Sequence, residues 1–179
     1  MMDTTTRMRR KLAELNFDFS QFTMERFADY VGEFTGSEIN FIGWDMPPGL
    51  FGAWVSLKDR ASDYVFYDKN SPPILEIHTK LHELGHIING HTTLSVTLGD
   101  LKEMIERQEL NGLFKNSLLR SNAADQEQTD ERLLMEVEAE TLAELVQTEI
   151  VNKATMDYLT KTNSTHEKAE EYLHHLGLK

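Results

Sequence analysis

The segment His82-Glu83-Leu84-Gly85-His86 constrains this chain more than any other, because the chemistry it offers requires a helix. Residues four apart on an α-helix share one face and lie about one turn, roughly 6 Å, apart. Two imidazoles so placed can hold one tetrahedral metal ion, and a glutamate beside the first can take a proton from an attacking water. Three fixed letters make a specific but not a decisive signal, so the flanking sequence has to carry part of the argument.

The flanks agree with a helix. Ser71-Pro72-Pro73 reads as its start, with serine as cap and proline tolerated in the first turn. Ile74, Ile77, Leu81, Leu84 and Ile88 recur at three- and four-residue spacing and predict a continuous apolar face, and Asn89-Gly90 predicts the stop. His78, His82 and His86 fall on a different face, so one side packs while the other presents a ladder of imidazoles. A lone histidine is more often satisfied by ordinary hydrogen bonds than a ligand, but the combined pattern favours a metal site. His78 continues the ladder outside the motif.

A structural zinc site closes with four protein ligands, whereas a catalytic one uses three and leaves a position for water. The chain has no cysteine, so the third ligand must be a histidine or a carboxylate. Glu136-Val137-Glu138-Ala139-Glu140 lies in a helix predicted from about Thr129 to Val151. Glu136, Glu140 and Glu144 form a second four-residue ladder, mildly self-repelling in an isolated helix. A dication or facing imidazoles would offset that repulsion, and so would plain exposure to water in a chain of net charge -12. Spacing alone leaves Glu136 open as a ligand. Small Ala139 and Ala143 permit close helix approach.

With these residues in view, the stretch from Leu50 to Leu145 resembles the ImmA/IrrE family of small zinc peptidases. Those proteins show a short strand pair, HELGH on a helix, and a downstream helix with ExEAN followed by small residues. Here the corresponding runs are HELGH and EVEAETLAEL, in the same order. The resemblance implies an α+β fold: a small zincin-like metallopeptidase domain with a short antiparallel β-sheet packed on helices that include the HExxH helix. It implies Zn2+ held by His82, His86 and Glu136, with Glu83 as catalytic base. It further implies cleavage of an intracellular protein substrate, with helix-turn-helix repressors among the family's partners. Three departures stand out: Glu140 replaces the usual asparagine, Leu142 a common aromatic, and His78-Thr79-Lys80-Leu81 a phenylalanine-threonine-leucine-alanine run. The first leaves open whether Glu140 replaces or assists Glu136. The 50-position step from His86 to Glu136 is long and points to a helical insert at about 94–128.

The remaining sequence sets the frame. Residues 1–20 are expected as a flexible N-terminal segment, with Arg7, Arg9, Arg10 and Lys11 its basic cluster, and residues 21–179 as a single zincin-like domain. A helix is expected from Gln21 to Phe34, ended by Gly36, then a strand from Ile39 to Trp44. Phe51–Leu57 and Tyr64–Tyr67 are expected as a hairpin, and an exposed sheet edge could take an extended peptide by strand addition. Residues 94–119 look helical with breaks at Gly99 and Gly112, residues 121–130 a polar loop, and 164–176 a last helix carrying His174-His175. No repeat, P-loop or dinucleotide fingerprint is present. The acidic balance argues against direct nucleic-acid binding, and no apolar run suits a membrane span or signal peptide. A cytoplasmic protein without disulfides is the expectation. Tyr64, Tyr67, His78 and His91 are candidate donors to a developing oxyanion. The competing function is a non-catalytic zinc-binding regulator that sequesters a repressor or another protein.

Overall fold

The computed structural model describes residues 3–115 and 126–162. It is an α+β fold in which a four-stranded mixed sheet separates two helical layers. Helix α1 (Thr4–Leu15) begins at Asp3, whose side chain accepts a hydrogen bond from the Thr6 amide, and ends at Asn16 in the left-handed region. A 3-10 turn (Phe19–Gln21) leads to α2 (Met24–Thr35), capped by Thr23 and closed by Gly36. The strands are β1 (Glu38–Trp44), β2 (Gly52–Leu57), β3 (Ser62–Asp68) and β4 (Leu94–Val96). Helix α3 (Pro73–Asn89) lies between β3 and β4 in the chain. Helix α4 (Leu98–Glu106), a short helix α5 (110–115) and the long α6 (Gln126–Thr162) complete the description.

The sheet order is β1-β3-β2-β4. Strands β2 and β3 form the expected antiparallel hairpin, but β1 runs parallel to β3 and β4 parallel to β2. The sheet is therefore mixed rather than antiparallel, because β1 is joined to β3 through β2 and β4 arrives only after α3. Alternation along the strands feeds two cores. Val65 faces the layer of α1, α2, α3 and α6, with Met8, Phe27, Leu84 and Leu142. Phe66 and Val55 face the opposite side, covered by Leu101 of α4 and Leu110 and Phe114 of α5.

Several expectations need correction. The segment expected as flexible carries helix α1, whose Met8 and Leu15 are 2% and 1% exposed, and Tyr30 donates to the Leu15 carbonyl at 2.6 Å. Burial of the apolar side of α1 outweighs its charged composition. The chain between residues 94 and 115 opens with strand β4, and its helices break at Arg107–Glu109, where Gln108 has φ 57°, rather than at Gly99 or Gly112. That part of the insert is scaffold, since it supplies the second core. Helix α3 starts with Pro72 as cap and no side-chain cap bond, so Ser71 is not the cap. Its apolar face is shorter than the spacing suggests, because Ile74 and Ile77 are exposed. Of the loop expected at 121–130, residues 126–130 belong instead to helix α6, while 121–125, the 164–176 helix and His174-His175 lie outside the described residues.

If α1 is part of the core, Leu15→Ala should destabilise the protein by about 2–5 kcal/mol in urea unfolding. A loss below about 0.5 kcal/mol, the size typical of surface substitutions, would restore the flexible-segment view.

Candidate metal centre

The site lies where α3 crosses α6. Gly85 makes the crossing close: a Cβ there would lie 2.8 Å from the Ala139 carbonyl oxygen and 3.0 Å from its Cα. Leu81, Leu84 and Ile88 of α3 pack with Leu142, Ala143 and Val146 of α6 in one core. With the apolar faces fixed, His78, His82 and His86 necessarily look toward Glu136 and Glu140. The two ladders read from the sequence thus meet in space.

Three atoms converge. His82 Nε2 lies 3.1 Å from Glu136 Oε2 and 3.1 Å from His86 Nε2, and His86 Nε2 lies 3.6 Å from the same carboxylate oxygen. Tetrahedral ligands at zinc bond lengths near 2.0–2.1 Å stand about 3.3 Å apart, so this triangle fits one face of such a coordination sphere. His82, His86 and Glu136 are a group that can hold a metal ion. His82 and Glu136 border an open cavity of about 360 Å³, also lined by Val137, Glu140 and Thr141.

Glu140 does not share that face. Its Oε2 lies 3.1 Å from His82 Nδ1, the nitrogen turned away from the triangle, and 3.2 Å from His78 Nε2. It therefore contacts the outer nitrogen of His82 rather than completing the triangle, and His78 meets the same oxygen. Metal-binding histidines commonly donate their second ring nitrogen to a carboxylate, which fixes ring orientation.

Glu83, beside the first histidine of the triangle, is buried and lies close enough to His82, His86 and Glu136 to feel their charges. A Cβ at Gly52 would lie 2.8 Å from Glu83 Oε1 and 2.5 Å from Thr79 Cγ2, so the start of β2 leaves room for this carboxylate only because residue 52 is glycine. Burial raises the Glu83 pKa, partly offset by His86 and His82. A base tuned upward toward neutral pH accepts a proton more readily.

Hydrogen bonding from His82, then from His86, holds Glu136 well below the usual carboxylate range. Burial alone would lower His82, but the hydrogen bond to Glu136 and the nearby Glu83 charge outweigh it and raise the net value. His91 also belongs to the site, though not as an oxyanion donor. Its Nδ1 sits 2.8 Å from His86 Nδ1, behind the ring, and its Nε2 2.9 Å from Glu138 Oε2. Burial lowers the His91 pKa, with Glu138 opposing. Tyr64 packs in the second core and Tyr67 lies under the Lys80 ammonium, so neither faces the triangle. Spacing alone gave no sign that Glu138 would contact a histidine five residues past the motif's second histidine.

Comparison with protein-family models, curated proteins and solved structures gives no match.

The charge pattern sets a pH dependence for metal-free protein. Glu136, lowered from its ordinary 4.5, contributes stability present above that value and lost as pH falls through its folded value. His82, raised from 6.5, contributes stability present below that value and lost as pH rises through its folded value. Glu136→Gln should therefore cost most between 4.5 and 6.5, the range bounded by the two ordinary values. Because the carboxylate is solvent-exposed, the cost should be no more than about 1 kcal/mol. Urea unfolding with chelator across a pH series reads this, and an equal cost at alkaline pH contradicts it.

Proposed function

We propose that this chain is a zinc-dependent metallopeptidase with a zincin-like fold of the ImmA/IrrE kind. The observation that carries the reading is the triangle of His82 Nε2, His86 Nε2 and Glu136 Oε2, with buried Glu83 next to the first ligand. Zinc held there supplies a Lewis acid that makes water more acidic and polarises a peptide carbonyl. Glu83 accepts the proton of the attacking water as its oxygen bonds to the carbonyl carbon. It then delivers that proton to the departing amine nitrogen as the C–N bond breaks. Glu140 orients His82 and takes no part in the proton transfer.

The substrate is an intracellular protein, with a transcriptional repressor as the leading candidate on family likeness. An extended segment has a place to bind. Strand β4 pairs only with Val55–Leu57 of β2 and the Thr93 hydroxyl donates to the Trp54 carbonyl, so Gly52 and Ala53, next to Glu83, have no strand partner on that side among the described residues. Backbone pairing along such an edge gives affinity without demanding one side-chain sequence. Among the described residues no helix is long and apolar enough to cross a membrane.

Elemental analysis should find one zinc per chain after reconstitution, lost in His82→Ala and Glu136→Ala. It should be kept in Glu140→Ala at an affinity about 10- to 100-fold lower. Glu83→Gln should keep the metal while cleavage of a quenched peptide library falls about 10²- to 10⁴-fold. No zinc in the wild-type protein would overturn the proposal. Zinc with no cleavage, and partner binding unchanged by Glu83→Gln, would select the sequestering regulator instead.

A further inference from the structure

Helix α3 ends in a way that folds the chain back on its own last turn. Gly90 adopts φ 67°, and the His91 amide donates to the His86 carbonyl at 3.1 Å. The His91 ring is thereby set edge-on to the His86 ring, with centroids 5.0 Å apart and planes at 70°. The two Nδ1 atoms are 2.8 Å apart, a distance that calls for one proton between them. Beyond His91, Glu138 Oε2 faces its Nε2 at 2.9 Å, and Glu138 Oε1 is paired with Arg7 of α1. Glu138 is buried and the His91 side chain is only 6% exposed, so water does not compete freely for these groups.

We propose that His91 is a positioning residue for the metal ligand His86, held in the required tautomer by Glu138 and Arg7. This rests on the metal-site reading above. A neutral histidine that offers Nε2 to a metal carries its proton on Nδ1. His86 Nδ1–H must then donate to a bare His91 Nδ1, which places the His91 proton on Nε2. There it donates to the Glu138 carboxylate, which can only accept. The opposite arrangement would put a His91 lone pair against a carboxylate and a proton on His86 Nε2, blocking the ligand position. Arg7 fixes the second Glu138 oxygen and closes the series on α1. His82 is held by one carboxylate directly, whereas His86 is held through an intervening ring. The inference gives a task to one arginine of the N-terminal basic cluster.

The experiment combines zinc affinity, measured by competition with a chromophoric chelator at neutral pH, with nitrogen NMR of the histidine rings in zinc-loaded protein, because in metal-free protein Glu136 competes for a proton on His86 Nε2. Wild-type His91 should carry its proton on Nε2 and leave Nδ1 bare. His91→Ala should bind zinc about 10- to 100-fold more weakly at the same stoichiometry. His91→Gln should recover most of the affinity, since its amide oxygen can accept from His86 while its NH2 donates to Glu138. His91→Leu, which fills space without accepting, should not recover it, whereas a purely structural role would be restored. Wild-type His91 found as Nδ1–H overturns the inference without recourse to any variant. So does His91→Ala binding zinc within twofold of wild type, which would leave the metal reading intact. Wild-type protein that takes up no zinc instead overturns the metal reading, and the positioning role with it.

Discussion

Helices α3 and α6 approach so closely at Gly85 and Ala139 that a single added methyl would meet backbone. That approach sets the reach of every side chain in the site. Glutamate and histidine side chains extend only a few ångströms, and at an ordinary helix spacing of 8–10 Å they would need favourable rotamers merely to touch. Here three atoms from two helices lie 3.1–3.6 Å from one another. The apolar packing of Leu81, Leu84, Leu142, Ala143 and Val146 stabilises the crossing, and the polar groups inherit their positions from it. The mid-motif glycine is as much a part of the site as the histidines.

The same crossing creates an electrostatic problem that the fold solves in two ways. Carboxylates at 136, 138 and 140 on one helix face a fourth at 83 on the other. Glu138 is turned aside into a buried pairing with His91 and Arg7, where a fixed cation offsets its charge. Glu136 and Glu140 stay on the solvated side, each against imidazole nitrogen, which limits the desolvation either must bear. Glu83 is the exception, buried against β2 with its pKa pushed up. Burial thus gives it a higher proton affinity than a solvated carboxylate has, the property the proposed base requires.

The α3 motif, its Gly90 stop, the β2–β3 hairpin and the meeting of the two ladders were all legible, because each follows from spacing along one element or from small residues at a contact. What spacing could not supply was pairing between distant elements. The parallel partnership of β1 with β3 depends on the path of the whole chain, and β4 is three residues long, too short to show a period. The role of α1 was hidden for a related reason. Its arginines dominate its composition, while only Met8 and Leu15 mark the side that is buried. His91 was visible as a nearby histidine, but its direction depends on the left-handed turn at Gly90 and on Glu138 arriving from α6.

Glu140 is where the chain departs most informatively from the family it resembles. As an outer partner of His82 it adds a negative charge that an asparagine in the same place would not, while still accepting from Nδ1–H. A carboxylate in that position makes the imidazole a stronger donor, which would tighten binding of a metal at the proposed site but reduce the positive charge left to polarise a substrate. His78 answers part of that charge: its Nε2 meets the same oxygen, so it can share the carboxylate's density with His82. The paired presence of His78 and Glu140, one turn along each helix from the metal triangle, is therefore a single device. Asparagine at 140 would leave His78 without a charged acceptor, and an apolar residue at 78 would leave the carboxylate leaning on His82 alone. The two departures on different helices are physically one change, and in the proposed site the balance they strike would bear on how firmly a metal is held and how strongly it acts.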